Sequence, residues 1–391
     1  MSLEKSSKTI LLEHSIAKVE LYSTYLKYYF AVLGNVKFID HIKVFDLFCG
    51  EGLYKDNNEG SPLAALSRAD EFLYKPPTFT PYIHFYFNDL GKSKIEKNIS
   101  KIERLRQIVR LRKYHRNIYI NFSEEEFAIA LEKSLPIAKE DKTSRSLFFV
   151  DPYGYKEIQP QIIKSILSDY KSELILFLPI STMYRFVGPA QEKDNGQHEH
   201  LKLFLEKLYC DGQQCFTSVA NFIESLRLQF ANYLHLPKLY VDTFTLQRDR
   251  VNQYCMFLFS QNDIGYEKML EAKWELDAEQ GKGFKLGKQK SLFSQETFSP
   301  YPKILLNYLV EAGAVTNIDL YHFGLTNKYL PKHTTQSLQS LVADGYPIST
   351  YSLDQKDAKG YYISSRNKDD NYERKIMIIL ENHEHFKNRM D

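Results

Sequence analysis

A short apolar segment that ends in a glycine-rich turn constrains this fold more than any other feature of the sequence. The segment is Lys43–Phe48, and Cys49-Gly50-Glu51-Gly52 follows it directly. An apolar run of this length bounded by a turn is typical of a buried strand in a parallel sheet. Glycines after such a strand allow the backbone to pass close to a ligand. The segment therefore predicts an α/β protein with a ligand-binding turn at the carboxyl end of this strand.

Strand and helix patterns alternate around that turn. An amphipathic helix is predicted over Glu13–Leu33, and a helix over Leu63–Leu73 begins after a capping Ser61. Further strands are predicted at Tyr82–Phe87, Ile118–Asn121, Leu147–Val150 and Leu174–Leu178, and further helices at Lys92–Arg116 and Glu124–Leu135. Two later β-rich runs, Tyr240–Leu246 and Gln253–Ser260, predict a closing antiparallel hairpin. The pattern predicts βαβ units and a parallel sheet.

The chain is predicted to form two domains. An α/β domain spans residues 1–290, with a helical insertion at about 186–236, and the linker Gly281–Lys288 ends it. The second domain spans residues 296–391. Its predicted elements are the helix Lys303–Glu311, a helix begun by the capping box Thr316–Asp319, the helix Pro331–Ala343, the strands Tyr346–Leu353 and Gly360–Ser364 around residues 354–357, and a last helix Tyr372–Lys387. Three helices followed by a hairpin predict a winged helix-turn-helix domain.

Composition and charge exclude several classes of protein. The formal net charge is +2, so total charge identifies no partner. The four cysteines have no CxxC spacing, which argues against a disulfide framework and a zinc site. No apolar stretch is long enough to cross a membrane, and the first residues lack a secretory signal pattern. We therefore predict a cytoplasmic protein without a metal or a membrane span.

The turn after the first strand has the form D-x-F-x-G-x-G. Its defining residues are Asp46, Phe48, Gly50 and Gly52. This form is found in many methyltransferases, where the loop receives the methionine part of S-adenosylmethionine. The alternative is a strand-to-loop turn without a ligand.

The ends of the second and third strands carry polar residues. Asn88 and Asp89 end the second strand, and a carboxylate there is suited to accept hydrogen bonds from both hydroxyls of a ribose. Asn121 and Phe122 end the third strand and are predicted to contact adenine. Capping of the following loop or helix explains these residues equally well.

Asp151, Pro152 and Tyr153 follow the fourth strand and form the most specific candidate site. An exocyclic amine of a base is a poor nucleophile because its lone pair is delocalised into the ring. A carboxylate and a backbone carbonyl fixed by proline would accept its two hydrogens and direct the lone pair, while an aromatic side chain stacks on the base. The alternative is a strand-end turn with a capping aspartate.

A basic segment between Lys92 and Arg116 is the main sign of a nucleic-acid partner, RNA or DNA. It contains ten basic and two acidic residues. Its candidate phosphate-binding residues are Lys101, Arg104, Arg106, Arg110 and Arg112. A solvated helix face explains such a segment equally well. In the second domain Lys332 and Gln336 are candidates for groove contacts, although basic and acidic residues balance from Ser299 onward.

The motifs together resemble the three-Cys-motif partner proteins (TcmP). The matching elements are Lys8-Thr9, His14, Ile16, Lys18, Val44–Gly52, Gly60–Leu63, Phe149–Gly154 and Gly265–Trp274. The resemblance implies a class I methyltransferase-like fold, often with a helix-turn-helix-like tail, a three-Cys-motif protein as partner, and a bacterial mobile or defence-related locus. Gly154 and Tyr153 depart from the Asp-Pro-Pro-aromatic form of adenine amino-methyltransferases and are similar to the form of tRNA guanine-N2 dimethyltransferases.

Two hypotheses follow. The first is an S-adenosylmethionine-dependent methyltransferase that acts on an exocyclic amine of a nucleic-acid base. The second is a non-catalytic, methyltransferase-like subunit that binds nucleic acid or a three-Cys-motif protein. Binding of the cofactor distinguishes them.

Overall fold

The structure is a computed structural model. It describes residues 12–75, 78–191, 198–209, 214–249, 251–277, 281–284, 300–352, 360–365 and 375–387. These residues fall into two compact units, the first up to Asp277 with residues 281–284, and the second from Pro300 onward. The predicted domain boundary, between residues 290 and 296, lies outside the described residues, as do Lys8, Thr9, Cys210, residues 285–288 of the predicted linker, and residues 354–357.

The first unit alternates helices and strands in the order that the hydrophobic pattern predicts. Its helices are α1 (Glu13–Leu33), α2 (Ser61–Tyr74), α3 (Lys101–Arg110), α4 (Phe127–Lys139), α5 (Pro160–Leu167), α6 (Ile180–Gln191), α7 (Glu199–Leu208), α8 (Val219–Leu234) and α9 (Asp263–Leu276). Its strands are β1 (His41–Asp46), β2 (Tyr82–Asn88), β3 (Ile118–Ser123), β4 (Ser144–Val150), β5 (Ser172–Leu178), β6 (Tyr240–Gln247), β7 (Gln253–Ser260) and β8 (Gly283–Phe284).

The strands form one sheet in the order β3-β2-β1-β4-β5-β7-β6-β8. β1 to β5 are parallel, with Val44 of β1 opposite Phe85 of β2 and Leu147 of β4. β7 runs antiparallel to both β5 and β6. Five parallel strands closed by an antiparallel hairpin confirm the α/β prediction. The short β8 pairs with β6, so part of the predicted linker belongs to the sheet.

Both faces of the sheet are covered, which explains why its central strands are almost continuously apolar. All seven residues of β5 are buried. Successive residues of a strand point to opposite faces. Phe148 packs in a core with the ring of Phe45 at 4.4 Å, whereas the next residue, Phe149, stacks on Tyr22 of α1 at 4.2 Å. Helices on both faces are characteristic of parallel sheets.

Helices α6, α7 and α8 follow β5 and pack against the Phe45–Phe148 side of the sheet. They occupy the region for which a helical insertion was expected. On the other side, α1 packs between α2 and α9. None of the described helices is both long and apolar enough to span a lipid bilayer.

The predicted helix Lys92–Arg116 is wrong in extent. Only α3, Lys101–Arg110, is helical, and residues 92–100 form an irregular loop. The Ser100 hydroxyl accepts a hydrogen bond from the amide of Glu103 at 2.9 Å, so a Ser-x-x-Glu cap starts the helix at Lys101, nine residues later than predicted. The shorter helix divides the basic segment between a loop and a helix.

The second unit contains helices and a three-stranded antiparallel sheet. Its elements are α10 (Tyr301–Ala312), β9 (Ala314–Thr316), α11 (Asn317–Thr326), α12 (Pro331–Ala343), β10 (Ile348–Ser352), β11 (Ile376–Leu380) and α13 (His383–Lys387). The strand order is β10-β11-β9. The side chain and backbone of Thr316 exchange hydrogen bonds with Asp319, which confirms the predicted capping box.

Two predictions for this unit are wrong. Residues 376–380 were expected within a helix, but they form β11, in which buried and half-buried residues alternate. Residues 360–364 were expected to form a strand, but β10 pairs with β11 instead. The sequence Ile-Met-Ile-Ile-Leu favours a strand because branched side chains pack well on a pleated surface.

Candidate functional site

The candidate site lies where the strand order of the first unit reverses. β1 has β2 on one side and β4 on the other, so the chain connections leave the sheet in opposite directions at this point. In open α/β sheets ligands bind at such a switch point, beside the carboxyl ends of the strands. A cavity of about 230 Å³ opens here, between the turn after β1, the turn after β4 and the beginning of α1. Gly50 and Asp151 both line it.

The glycine turn after β1 has the backbone conformation that its sequence predicts. Gly50 and Gly52 have φ angles of +71° and +80°, which other residues rarely adopt. A Cβ on Gly50 would meet nothing within 4 Å, whereas one on Gly52 would meet a methyl of Leu105 at 2.5 Å. Gly50 therefore keeps space open beside the cavity, and Gly52 permits close packing against α3.

Arg104 of α3 stabilises this turn through hydrogen bonds. Its guanidinium donates hydrogen bonds to the carbonyl oxygens of Leu53 at 2.6 Å and Glu51 at 3.1 Å. It also lies 3.7 Å from the carboxylate of Glu51. Arg104 was predicted to bind phosphate, but only 12% of its side chain is exposed. The prediction for Arg104 is therefore corrected: its side chain stabilises the glycine turn.

Asp46 lies fully buried at the end of β1. The Ser61 hydroxyl donates a hydrogen bond to it at 2.6 Å, so Ser61 is not the helix cap that was predicted, and Gly60 occupies the cap position of α2. Burial raises the pKa of Asp46 to about 7, partly opposed by the Ser61 hydroxyl. Its contact with Ser61, which lines the cavity, connects it to the site.

Asp89, the predicted ribose acceptor, is buried and already makes several contacts. Its oxygens accept hydrogen bonds from the amides of Gly91 at 2.7 Å and Gly50 at 3.1 Å. The ammonium of Lys101 lies 3.0 Å from both oxygens, and the Tyr153 hydroxyl donates to one of them at 3.0 Å. Because Lys101 is only 4% exposed, it pairs with Asp89 and does not present its charge to a phosphate backbone, contrary to prediction.

Asp151 stands at the carboxyl end of β4 and forms an ion pair with Lys18 of α1. The ammonium of Lys18 also lies 4.5 Å from the centre of the Phe177 ring. Lys18 was not predicted as a site residue. In the sequence Lys18 is one of the elements that resemble TcmP, but a single lysine on an amphipathic helix is ordinarily a surface residue.

Three aromatic rings form one wall of the cavity. Tyr254 stacks on Phe177 at 5.0 Å and on His14 at 5.1 Å between ring centres. Burial lowers the pKa of His14 to about 4, with a further contribution from Lys18. His14 is therefore neutral at pH 7, and the wall presents flat rings suited to a planar ligand. None of the three was predicted, because they come from α1, β5 and β7.

Three further predicted cofactor residues, like Asp46, Gly52 and Asp89, do not line the cavity. The Asn88 amide donates to the carbonyl oxygens of Leu47 and Glu125, and accepts from Ser123, so it ties the ends of β1, β2 and β3 together. Asn121 donates to the carbonyl oxygen of Phe85 at 3.2 Å.

Phe122, the third of these, lies against the guanidinium of Arg106, which is 5.4 Å from the ring centre. Phe48, by contrast, lines the cavity, and its ring meets Tyr153 edge-on at 6.3 Å. The predicted cofactor residues therefore divide between a group at the switch point and a group that braces the neighbouring strand ends.

The basic segment is not one continuous charged face. Arg106 pairs with Glu103 at 3.0 Å and Arg112 pairs with Glu59 at 2.6 Å. The exposed basic residues of the segment are Lys92, Lys94, Lys97, Arg110, Lys113 and Arg116. In the second unit, Lys332 and Gln336 are exposed on α12.

The strand order, the switch point and the glycine turn together define the class of the first unit. It is a Rossmann-like α/β methyltransferase fold, with the antiparallel β7 between β5 and β6.

No family model and no curated protein matches the sequence, so the resemblance to TcmP stays a prediction. Protein LPL1258 from Legionella pneumophila str. Philadelphia 1 is similar at 13% identity, over 68% of this chain and 92% of that one, with a TM-score of 0.39.

Two further solved structures are similar. Trm1 from Pyrococcus horikoshii, solved with S-adenosyl-L-methionine, has 12% identity over 80% of this chain and 76% of that one, with a TM-score of 0.35. The plantazolicin methyltransferase BamL, solved with a triazolic desmethylPZN analog and SAH, has 10% identity over 63% of this chain and 86% of that one, with a TM-score of 0.31. At these scores the assignment of the fold depends on strand order and not on superposition.

Proposed function

We propose that the protein is an S-adenosylmethionine-dependent methyltransferase that acts on an exocyclic amine of a nucleic-acid base. One observation carries the proposal: the glycine turn after β1 and the carboxylate of Asp151 after β4 line the same cavity at the switch point. The open space at Gly50, where a Cβ would meet nothing within 4 Å, fits a cofactor that passes close to the backbone.

The residues that would hold the cofactor lie on the β1 and β2 side of the cavity. Gly50 and Gly52 would shape the turn for its methionine part, with Asp46 and Phe48 supporting them, and Asp89 would accept hydrogen bonds from the ribose hydroxyls. The cofactor, when bound, supplies an electrophilic methyl group. Asp89 can accept from a ribose if the Tyr153 hydroxyl moves away, because Tyr153 is the only one of its four partners on a largely exposed side chain, 70% exposed.

The acceptor amine would lie beside Asp151 and Pro152. The carboxylate accepts a hydrogen bond from the amine and holds the nitrogen lone pair toward the methyl group. As the new carbon–nitrogen bond forms, the carbon–sulfur bond of the cofactor would break and leave S-adenosylhomocysteine. The nitrogen becomes positive, the same carboxylate stabilises that charge, and the nitrogen then releases a proton to water. Lys18 fixes the position of Asp151 through their ion pair. The aromatic wall of Phe177, Tyr254 and His14 suits a planar base.

The second unit supports a polynucleotide substrate. Its order of helix, strand, two helices and two strands, with β11 in the middle of the sheet, supports the prediction of a winged helix-turn-helix. In this proposal α12 is the recognition helix, and its exposed Lys332 and Gln336 face a groove. His333, by contrast, caps α12, since its ring nitrogen accepts from the amide of Leu330. The exposed part of the basic segment, around Arg110, would contact phosphates.

The test is methyl transfer from labelled S-adenosylmethionine to total RNA and to bacterial DNA by the full chain. Transfer to one nucleic acid is expected, and it must disappear with Asp151→Ala. Transfer of labelled methyl groups to nucleic acid that is unchanged in the Asp151→Ala variant would contradict the proposal.

A second candidate function is a non-catalytic subunit that binds nucleic acid or a three-Cys-motif protein. The saturation of Asp89 favours it, because two amides, Lys101 and Tyr153 already occupy its oxygens. Calorimetry with S-adenosylmethionine and S-adenosylhomocysteine distinguishes the two. An enzyme must bind both, whereas binding of neither supports the subunit.

A further inference from the structure

A second cavity lies at the opposite edge of the same sheet. Its volume is about 170 Å³, and it is enclosed by α1, α9 and the amino ends of β4 and β5. From its polar lining we propose that this cavity is a binding site for a compact, uncharged molecule with a hydrogen-bond-donating carboxamide or lactam group. The proposal does not depend on the proposed methyl transfer, because the two cavities share no lining residue.

Polar atoms without partners line this cavity. Three buried side-chain atoms lack a hydrogen-bond partner among the described residues. They are the hydroxyls of Tyr29 and Ser172 and the side-chain oxygen of Gln261. Tyr29 is 6% exposed and Ser172 is 1% exposed. Buried polar atoms are nearly always paired in native proteins, so three at one cavity point to a missing partner there. The same cavity therefore has both the space and the unmet hydrogen bonds of a ligand site.

The carboxyl group of Glu173 adds a fourth polar group at the floor of the cavity. Tyr25 and Ser260 donate hydrogen bonds to it, the latter at 2.7 Å. A Cβ on Gly265 would lie 2.1 Å from one of its oxygens, so the glycine at the start of α9 makes room for this carboxyl. Burial raises the pKa of Glu173 to about 7, partly opposed by these two hydrogen bonds. Near neutral pH the group is thus partly protonated and favours an uncharged partner.

The chemistry of the lining decides the class of ligand. The side-chain nitrogen of Gln261 donates to the carbonyl oxygen of Leu167 at 2.7 Å, which fixes the orientation of the side chain. The side-chain oxygen of Gln261, which can only accept, is then the atom that needs a partner. A ligand must therefore donate to Gln261, while the two hydroxyls can donate or accept. Val32, Leu33 and Ile264 supply apolar walls.

The basic side chains of the lining do not supply the missing hydrogen bonds. Arg145 donates to the carbonyl oxygen of Ser144 at 2.7 Å, and Lys171 to that of Asp141 at 3.1 Å. Lys268 pairs with Glu271 at 2.6 Å. These three positive charges oppose entry of a cation, and the carboxyl group of Glu173 opposes entry of an anion, so the lining as a whole favours an uncharged ligand.

Three probes of equal shape test the class. Benzamide, benzamidine and benzoate share one ring and differ in the charge and donors of one group. At pH 7 the full chain is expected to bind benzamide with a roughly millimolar dissociation constant in ligand-observed NMR, which suits so small a ligand. Benzamidine and benzoate are expected to bind at least tenfold more weakly. A preference for either charged probe would overturn the proposal. So would the absence of benzamide binding, which would mean that water alone fills the cavity.

Paired variants locate the binding. Tyr29→Phe removes a hydroxyl that lines the cavity, and Tyr22→Phe removes another buried, unpartnered hydroxyl on α1 that does not line it. Each is expected to raise the melting temperature, because each removes an unsatisfied buried polar atom. Only Tyr29→Phe should weaken benzamide binding, by about three- to tenfold, the range of one hydrogen bond.

Ser172→Ala extends the test to a second wall of the cavity and is expected to weaken benzamide binding by a similar factor. If Tyr29→Phe and Tyr22→Phe affect binding equally, benzamide binds elsewhere and the proposal fails. If Tyr29→Phe lowers the melting temperature, ordered water already satisfies the hydroxyl, and the argument for a ligand fails with it.

Discussion

Lys18 of α1 donates a hydrogen bond to the carboxylate of Asp151 at the end of β4, although 133 residues separate them in the chain. The pair lies at the boundary of the cavity, with 14% of the lysine and 20% of the aspartate side chain exposed. The carboxylate thus has one fixed partner and remains accessible from the cavity. This is the arrangement that an orienting acceptor for an amine needs, and it makes the pair the first target for variants.

Asp151→Asn is expected to reduce methyl transfer by about 10²- to 10³-fold, the typical cost of losing one preorganised catalytic hydrogen-bonding group. Cofactor affinity should stay within a few-fold, because the side chain lies on the acceptor side of the cavity. Lys18→Met should also lower turnover, since it removes the cation that positions Asp151. Lys27→Met is the matched control, being an exposed lysine of the same helix. Equal effects of the two lysine variants would contradict the positioning role.

Gly50→Val is expected to abolish cofactor binding while the protein still folds. The φ of +71° disfavours a branched residue, and the side chain would enter open space beside the cavity. Gly52→Ala should instead destabilise the fold, because its Cβ would meet Leu105 at 2.5 Å. Calorimetry with S-adenosylhomocysteine and thermal denaturation measure the two effects. Normal binding by a folded Gly50→Val variant would place the cofactor elsewhere.

Asp89→Ala is expected to destabilise the protein as well as weaken cofactor binding. Asp89 and Lys101 form a buried pair, and removal of one partner leaves the other charge uncompensated, which typically costs about 3–5 kcal/mol. The double variant Asp89→Ala with Lys101→Met should recover much of the stability without restoring binding. Denaturant unfolding measures this coupling, and additive effects of the single changes would argue against the pair.

The stability of the protein should depend on pH through Asp46. Burial raises its pKa from 3.8 to about 7, so between these values the folded state holds a proton that the unfolded state has released. The contribution of Asp46 to stability is therefore fully present below about pH 4 and is lost as pH rises toward 7. Asp46→Asn should remove this slope. The unfolding free energies of wild type and variant are compared across pH 4–8. Their difference isolates the contribution of Asp46 from that of the buried histidines, which stabilise the folded protein as pH rises.

Charge reversal of Arg110, Lys113 and Arg116, all exposed, should weaken nucleic-acid binding and reduce its salt dependence. Each lost phosphate contact lowers the slope of log affinity against log salt by about 0.9. Reversal of Lys207 and Lys202 on α7 is a control for a change of charge outside the segment, two residues against three. An unchanged salt dependence would indicate that the basic segment is an ordinary solvated surface.

Several features of the molecule could be predicted from the sequence because they depend on neighbouring residues. The apolar runs that become β1, β4 and β5 are continuous, so they identify buried parallel strands without knowledge of their partners. Gly50 and Gly52 permit the positive φ angles that the turn adopts, and the capping box of Thr316 and Asp319 spans one turn of helix. Local patterns of this kind do not require the rest of the chain.

Other features arise only when distant segments meet. Lys101 and Arg104 were interpreted as surface cations, and the tertiary structure buries both beneath the glycine turn, where carboxylate and carbonyl partners compensate the cost of burial. β11 was predicted as a helix because its partner strands, β9 and β10, are remote in sequence. The aromatic wall and the ion pair of Lys18 with Asp151 likewise join separate elements. Burial and pairing are properties of the folded chain, and a residue's charge alone does not determine them.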